Sequence, residues 1–370
     1  MHILMLNYEF PPLGGGGSPV SYEIAKGYVG LGHSVTVVTM AYKDLPGYEI
    51  KDGIEIYRVP CWRSKKEICH PWEQLTYILS AKGFLKQHLK NHKYDINHTH
   101  FIIPTGIISL WLKKRYNLPY IITSHGSDVP GYNPDRFQLL HKFTGPILRR
   151  ICENAKIITT PSRYLKDLIE KNIGHYKIAV IPNSSRDFFV ENIKKENIII
   201  SSGRLLPRKG FHLLIEAFNQ INHPDWKLYI CGDGPYRKKL EEMARNNRNI
   251  IFTGWLNNTE KEYRLLMNKA KIFALLSSFE TQGIVFVEAM SAGCAILSSN
   301  ATACKETVSK DIGYLVNLEN KKEIEEKIKE MINRERLLNK FAENSRKRYE
   351  KDYTYNNVIN QYAKNLNGIS

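Results

Sequence analysis

The chain has 370 residues, 42% of them hydrophobic, and a formal net charge of +16. This length can bury a large core and is enough for two domains. Its longest apolar stretch, residues 101–112, falls short of the roughly 20 residues that span a bilayer. The positive charge is spread over both halves and fits an anionic membrane surface or phosphorylated substrates. Because zinc spacing, RNP motifs and alternating aromatic and basic residues are missing from the sequence, nucleic acid ranks last as a partner.

The first half alternates predicted strands and helices. Strands are predicted over residues 2–7, 35–40, 54–59, 120–124 and 156–160, and helices over 19–31, 72–90, 105–116, 136–152 and 162–171. This alternation is typical of a doubly wound parallel sheet. Because the first strand opens without a cationic leader, a secretory signal is not expected. Six scattered cysteines also suit a reducing cytoplasm.

Four consecutive glycines, residues 14–17, follow the first strand. They would let the backbone approach a ligand closely, and the helix behind them favours a phosphate. The loop does not match G-x-G-x-x-G, and the second strand does not end in an acidic residue, which counts against a nicotinamide cofactor. A tight turn is the alternative interpretation.

His125 follows the predicted strand over 120–124, within the run Ser124-His125-Gly126-Ser127-Asp128. Open α/β sheets bind ligands at the carboxyl ends of their strands, so this histidine is predicted to line a cleft. A purely structural histidine is the alternative.

The second half repeats the pattern. Strands are predicted over 197–202, 227–231, 249–252, 271–275 and 295–298, with helices over 210–220, 235–246, 259–268 and 284–292. A charged helical stretch over 320–350 precedes a last helix over 353–365, which is aromatic enough to pack back across the first domain. The prediction is two Rossmann-like domains that face a cleft: residues 1–187 with about 353–370, and residues 188–352.

Arg204 and Lys209 lie five residues apart in a loop after the first strand of the second half. Fixed cations at the carboxyl end of a strand suit a diphosphate, whereas Arg208 between them is expected to face solvent. Solvated surface charge is the alternative. The run Gly232-Asp233-Gly234 also ends a strand, either as a ligand loop or as a plain turn.

Two carboxylates flank the start of an apolar helix: Glu280 before it and Glu288 within it. A buried ionised carboxylate needs hydrogen-bond donors, and the free N–H groups after Gly283 can hold an anion. A ligand with phosphates and hydroxyls, such as a sugar nucleotide, satisfies both. No D-x-D pair is present to carry a divalent metal, so no metal or other cofactor is expected.

Together these motifs resemble the GT-B glycosyltransferases of family 4, with their glycine-rich loop, G-R-x(4)-K-G motif and E-x(7)-E motif, over essentially the whole chain. The resemblance implies a retaining, metal-independent hexosyltransferase that takes a nucleotide sugar, with a UDP-sugar favoured and GDP-mannose as the alternative. The acceptor hydroxyl would belong to a glycan, polysaccharide or glycolipid and bind mainly to the first domain. A nucleotide-sugar epimerase or phosphorylase, or a non-catalytic nucleotide-sugar-binding subunit, are the alternative functions.

The resemblance also implies roles for single residues. Arg204 and Lys209 would bind the donor diphosphate, and the main-chain N–H groups of Gly16 and Gly17 would reach it from the first domain. Glu288 would bind the ribose hydroxyls. The transferred sugar would contact the following groups: Glu280, the amides of Gly283, Ile284 and Val285, and His125 near the hydroxymethyl side.

Two segments depart from the family pattern. Residues 280–283 read E-T-Q-G where E-G-F-G is common, and residues 182–187 read P-N-S-S-R-D in place of P-N-G-[IV]-D. E-T-Q-G occurs in some members that glucosylate diacylglycerol, which favours a lipid acceptor. Residues 82–90 place cations beside apolar residues at helical spacing, as a membrane-interfacial helix or an ordinary surface helix would.

Overall fold

The computed structural model describes residues 1–132, 138–221, 223–256 and 260–367. The chain divides into two compact units, Met1–Pro182 with Val358–Ser370, and Asn183–Asn357. The first residues of the helices predicted over 136–152 and 259–268, and residues 368–370 of the first predicted domain, lie outside the described residues.

The first unit is built on an eight-stranded sheet with the order β3-β4-β2-β1-β5-β6-β7-β8, parallel except for the β3–β4 pair. Its strands are β1 (His2–Leu6), β2 (Ser34–Met40), β3 (Tyr48–Lys51), β4 (Ile54–Val59), β5 (Ile96–His100), β6 (Tyr120–Thr123), β7 (Ile158–Thr160) and β8 (Ile178–Val180). Its helices before residue 182 are α1 (Gly17–Gly30), α2 (Pro71–His88), α3 (Thr105–Tyr116), α4 (Gln138–Asn154) and α5 (Arg163–Asn172).

The central strand β5 was not predicted from the sequence. Asn97, His98, Thr99 and His100 are all fully buried between β1 and β6, although none of them is apolar. Prediction of buried parallel strands depends on a run of apolar residues, such as the one that forms β1. The edge strand β3 and the three-residue β8 were also missed, because they are short.

The second unit is a six-stranded parallel sheet with the order β11-β10-β9-β12-β13-β14. Its strands are β9 (Glu196–Ser202), β10 (Lys227–Cys231), β11 (Ile250–Gly254), β12 (Ala270–Leu275), β13 (Ala295–Ser299) and β14 (Gly313–Val316). The helices that follow α5 are α6 (Phe211–Gln220), α7 (Arg237–Ala244), α8 (Lys261–Lys269), α9 (Ile284–Ser291), α10 (Cys304–Thr307), α11 (Lys321–Asn333), α12 (Glu335–Arg348) and α13 (Tyr355–Asn367). The helix α13 runs from the second unit into the first.

In both sheets the strand order reverses once, between β1 and β5 and between β9 and β12. The two strands at such a point send their following loops in opposite directions, which opens a crevice at the carboxyl edge of the sheet. The loops that the sequence singles out begin at these edges. Residues 14–17 follow β1, residues 203–210 follow β9, and residues 277–283 follow β12.

The unit boundaries differ from the predicted ones, which were 187/188 and about 352/353. The carboxylate of Asp187 accepts two hydrogen bonds from Arg346 of α12, at 2.5 and 2.8 Å, and Phe188 lies in the core of the second unit. At the other end, Tyr353 packs into the same core. These side chains hold residues 183–187 and 353–357 in the second unit.

Candidate active site

The loop after β9 is held against the loop after β12 by direct contact between their backbones. Gly210 has φ 70°, and a Cβ atom there would lie 1.9 Å from the carbonyl oxygen of Leu276. Nearby, the Ser278 N–H donates to the carbonyl oxygen of Arg208 at 2.8 Å. Only glycine permits this approach, and the approach fixes where Lys209 lies.

We expect Gly210→Ala to lower the free energy of unfolding by at least about 2 kcal/mol, since the new methyl group meets a carbonyl oxygen in a backbone conformation that L-residues avoid. Scanning calorimetry would record this as a lower melting temperature. Gly30→Ala is the matched control, because a Cβ atom at Gly30 has no heavy atom within 4 Å. Equal melting temperatures for the two variants would contradict the close approach of Gly210 to the Leu276 carbonyl oxygen.

Lys209 and Glu280, from these two loops, form an ion pair. The Lys209 Nζ lies 2.5 Å from the Glu280 Oε1, and the two side chains are 16% and 11% exposed. The Glu280 N–H donates to the Oγ1 of Thr302, which fixes the backbone beneath the carboxylate. An ammonium group has three donors, so two remain on Lys209 for a phosphate while one bonds Glu280.

The other two cations of this loop point outward. Arg204 is exposed and makes no side-chain hydrogen bond or ion pair within the described ranges. Arg208 is exposed as expected, and only its carbonyl oxygen takes part in the loop contact. Arg204 therefore has its full set of guanidinium donors available to a ligand.

The run Gly232-Asp233-Gly234 after β10 supports the loop after β9. A Cβ atom on Gly232 would lie 1.9 Å from the carbonyl oxygen of Gly203, and the Leu205 N–H donates to the carbonyl oxygen of Asp233 at 2.9 Å. The glycines thus let two loop backbones run side by side, which is a structural role for this run.

Helix α9 begins after Gly283, which has φ 80°. The amides of Ile284 and Val285 belong to its first turn, where backbone donors have no acceptor inside the helix. Further along the helix, Glu288 is 4% exposed and accepts a hydrogen bond from the Tyr263 hydroxyl at 3.3 Å. The protein itself therefore compensates part of the cost of burying this carboxylate.

Gln282, in the E-T-Q-G segment that departs from the family pattern, has a hydrogen-bond partner in the same unit. Its Oε1 accepts from the Asn183 N–H at 2.7 Å, and its Nε2 donates to the Asn183 carbonyl oxygen at 3.0 Å. Asn183 is the first residue of the second unit. The two segments that depart from the family pattern are thus joined by a pair of hydrogen bonds.

In the first unit, the glycine loop lies against His125. Gly16 precedes α1 and Gly17 begins it, and a Cβ atom on Gly17 would lie 3.0 Å from ring atoms of both His125 and Phe101. The N–H groups of Gly16 and Gly17 donate to no acceptor within the part of the chain that the structure describes. The structure therefore brings together the free amides of the glycine loop and His125, which the sequence marks at two separate positions.

The conformation of His125 is held by buried neighbours. Its Nε2 lies 3.0 Å from the Nδ1 of His100, and the two rings stack. One carboxylate oxygen of Asp128 accepts from the Ser124 hydroxyl and from the N–H groups of His125 and Gly126, at 3.0 to 3.2 Å. The other accepts from the Ile102 N–H at 2.7 Å.

Burial keeps this group of histidines neutral. Desolvation lowers the pKa of His125 and of His98 to about 3, and it holds the pKa of His100 well below its ordinary value of 6.5. His125 therefore acts at neutral pH as an uncharged hydrogen-bonding ring.

These lowered pKa values predict acid sensitivity. Below about pH 6.5 the unfolded chain binds protons that the desolvated rings of the folded protein do not bind, so stability is full above that pH and is lost as the pH falls. Each ring adds up to about 1.4 kcal/mol per pH unit to this slope. We expect His125→Asn to make the dependence shallower in urea unfolding between about pH 7.5 and 5, whereas the exposed His175→Gln leaves it unchanged. Identical slopes for wild type and His125→Asn would refute the neutral assignment.

Several supporting residues were not selected from the sequence: His100, Thr302 and Tyr263. The H-x-H pattern at 98–100 is a local signal that points to His100. Thr302 and Tyr263 reach the site only through the packing of β13 and α8, and no local pattern marks them.

Two Rossmann-like units, with cations, carboxylates and free helix amides at their carboxyl edges, define a GT-B glycosyltransferase. Residues 14–184 match the family described as Glycosyltransferase Family 4, and residues 183–348 match Glycosyl transferases group 1. The chain therefore belongs to the family 4, group 1 glycosyltransferases, and it is a hexosyltransferase, as the motifs predicted.

Individual relatives agree with this assignment. A glycosyltransferase of Methanocaldococcus jannaschii is 27% identical over 345 residues, which cover 84% of each chain. Alpha-monoglucosyldiacylglycerol synthase of Streptococcus pneumoniae is 25% identical over 72% of this chain and 64% of its own length.

Among solved structures, sucrose-phosphate synthase from Thermosynechococcus elongatus superposes with a TM-score of 0.85 at 17% identity, over 100% of this chain and 98% of that one. Anabaena HepE in complex with UDP gives a TM-score of 0.80 at 18% identity over the whole of both chains. These likenesses confirm the fold.

Proposed function

We propose that the protein transfers a hexosyl unit from a UDP-sugar to an acceptor hydroxyl, with retention of anomeric configuration and without a metal. The observation that carries the proposal is the Lys209–Glu280 pair, held beside the first turn of α9 at the strand-order reversal of the second unit. The fold neighbour HepE was crystallised with UDP and with UDP-glucose, which supports UDP over GDP-mannose as the alternative.

In this reaction the bond between the anomeric carbon and the diphosphate oxygen breaks, and a bond from the acceptor oxygen forms on the same face. The departing phosphate oxygen takes the acceptor proton, so no protein nucleophile is needed. Arg204 and Lys209, with the amides of α9, stabilise the charge that develops on the diphosphate. Glu280 holds the sugar hydroxyls, and Glu288 holds the ribose.

A thermal-shift screen of UDP-, GDP- and ADP-sugars tests the donor. A ligand that binds only the folded state stabilises it by about 2.7 kcal/mol at one hundred times its Kd. We expect UDP-sugars to raise the melting temperature most, equally with and without EDTA. A larger shift with GDP-mannose would mean that the donor is GDP-mannose and not a UDP-sugar. A shift that depends on a divalent metal would overturn metal independence.

Incubation of enzyme and donor without acceptor separates the alternative activities. An epimerase changes the sugar, a phosphorylase releases a sugar phosphate only when inorganic phosphate is present, and a transferase slowly hydrolyses the donor. A non-catalytic subunit leaves it unchanged. NMR of the transfer product then reports the anomeric configuration, and inversion would overturn the retaining mechanism.

We further propose a lipid-linked acceptor reached from the cytoplasmic face of an anionic membrane. The relative from Streptococcus pneumoniae is named for a glycolipid product, and E-T-Q-G favours the same acceptor class. Within the described ranges, none of the helices has both the length and the apolar composition to cross a bilayer, so the contact would be peripheral.

The exposed apolar stripe that we propose as the membrane contact lies earlier in α2 than residues 82–90. Within 82–90, Phe84 and Leu85 pack into the core of the first unit. The exposed apolar side chains are instead Trp72, Leu75 and Leu79, which are 61%, 56% and 65% exposed. Their spacing of three and four residues places them on one face of the helix.

Cations continue this face. Lys82 follows the stripe, and it lines a groove that also contains Trp111, Lys114, Arg115 and Arg150. An apolar stripe beside clustered cations matches the interface of an anionic bilayer, where apolar side chains enter the acyl boundary and cations meet lipid phosphates.

We expect the protein to sediment with vesicles of phosphatidylglycerol and phosphatidylcholine at low salt, and less at high salt. Leu75→Glu/Leu79→Glu should weaken binding at least about tenfold, because it removes two apolar anchors and adds two anionic charges. Trp255→Glu, an equally exposed position in the second unit, is the control. Unchanged sedimentation of the double variant, or none for the wild type, would refute this face.

A further inference from the structure

Three histidine rings form a stacked row from the centre of the first sheet to the glycine loop. The rings of His98 and His100 stack with centroids 4.6 Å apart, and those of His100 and His125 with centroids 5.3 Å apart. His98 and His100 share one face of β5, because side chains two residues apart in a strand point the same way. The row therefore ends at the histidine that contacts Gly17.

The inner ring is held on both nitrogens. The Nδ1 of His98 lies 3.1 Å from the Tyr28 hydroxyl, and its Nε2 lies 2.7 Å from the Oγ1 of Thr123. Thr123 in turn bonds the hydroxyl of Thr159 at 2.7 Å. This network gives His100 a rigid support on its inner side.

His100 differs from His98, because only one of its nitrogens has a partner. Its Nδ1 faces the Nε2 of His125 at 3.0 Å, whereas its Nε2 is fully buried and bonds nothing within the described residues. A neutral imidazole carries one hydrogen on its two nitrogens, and one hydrogen lies between the two facing nitrogens. Either His100 or His125 donates that hydrogen.

The unpartnered nitrogen decides between these arrangements. If His125 donated, the hydrogen of His100 would sit on its buried Nε2 as a donor without an acceptor, which is a rare and costly state in proteins. If His100 donates from Nδ1, the buried Nε2 carries only a lone pair. The second arrangement leaves His125 as an acceptor at Nε2, with its own hydrogen on Nδ1.

We propose that His100 is a positioning residue that fixes His125 as the Nδ1–H tautomer, so that His125 meets a substrate oxygen as a hydrogen-bond donor. This inference rests on the proposed function for the identity of the substrate, a sugar hydroxyl or a phosphate oxygen. His125 then cannot remove a proton through Nε2, because His100 occupies that lone pair. The role of His125 is to bind and orient, which agrees with acceptor deprotonation by the departing phosphate.

The tautomer is measured directly by long-range ¹H–¹⁵N spectra of the full-length protein labelled at histidine, near neutral pH and without substrate. The His125 signals are assigned by their loss in His125→Asn. We expect a protonated Nδ1 and an unprotonated Nε2. A protonated Nε2 in the wild type overturns the proposal, whatever the enzyme's substrate proves to be.

Two variants then test the part that His100 plays. His100→Asn keeps an amide N–H near the position of Nδ1, whereas His100→Leu removes the donor. We expect His100→Leu to lose the fixed tautomer and to lower kcat/KM for the donor sugar at least about tenfold, and His100→Asn to restore both. If His100→Leu keeps the Nδ1–H tautomer, or if both variants lose activity equally at equal melting temperatures, His100 is not the positioning residue.

Failure of the proposed function and failure of the tautomer inference give different results. A protein that binds no nucleotide sugar but shows the Nδ1–H tautomer contradicts the proposed function alone. A protein that transfers a hexosyl unit with His125 protonated at Nε2 contradicts the inference alone.

Discussion

Lys209→Ala is expected to lower kcat/KM for the donor sugar by about 10²- to 10³-fold, the effect of removing one hydrogen-bond donor from a developing oxyanion. The loss has two parts. The diphosphate loses a cation, and Glu280 keeps a buried charge without its partner at 2.5 Å, where it repels the incoming phosphates. Steady-state release of UDP measures the change.

Arg208→Ala is the matched control, since it removes the same charge from the neighbouring, exposed position while keeping the carbonyl that accepts from Ser278. We expect near wild-type kinetics for it. Lys209→Ala/Glu280→Gln removes the stranded charge, and comparison with Glu280→Gln alone accounts for the lost contact of Glu280 with the sugar. A Lys209→Ala enzyme as active as the Arg208→Ala enzyme would exclude Lys209 from the donor site.

Glu288→Gln is expected to reduce transfer by about 10²-fold or more while the fold stays intact. A carboxylate accepts hydrogen bonds from two ribose hydroxyls, whereas an amide has one acceptor oxygen and presents N–H groups in place of the other. Isothermal titration with UDP should show weaker binding. Because the amide still accepts from the Tyr263 hydroxyl, the melting temperature without ligand should change little.

Tyr263→Phe distinguishes a ligand contact from a structural one. It removes one internal donor to Glu288 without touching the carboxylate, so we expect lower stability and a much smaller loss of UDP affinity. Equal losses of affinity in the two variants would mean that Glu288 acts through the packing of α9 and does not contact the ribose.

Much of the fold can be predicted from local sequence patterns. Apolar runs predict β1, β9 and β12, and the charged or glycine-rich runs that follow them mark the loops at the carboxyl edges. Lys209 and Glu280 are 71 residues apart, yet both follow strands that are neighbours in the sheet, so strand order alone brings them together.

What could not be predicted depends on partners distant in sequence. Four of the five residues of strand β5, Asn97 to His100, are buried and polar, so its composition gives little apolar signal. The hydrogen bonds that hold His98 come from β6 and α1. The boundary at Asn183 depends on Gln282 and on the Arg346–Asp187 pair, which span 99 and 159 residues. Tyr263 meets Glu288 only because α8 and α9 fold onto the same sheet.

The two hydrogen bonds between Gln282 and Asn183 limit which substitutions this protein tolerates. A phenylalanine at position 282, as in the common E-G-F-G pattern, would leave a buried N–H and a buried carbonyl of Asn183 without their partners. The exchange at 282 is therefore tolerated only together with a new conformation of residues 183–186. The two segments form one unit of variation, and grafting either alone from a relative should fail where grafting both succeeds.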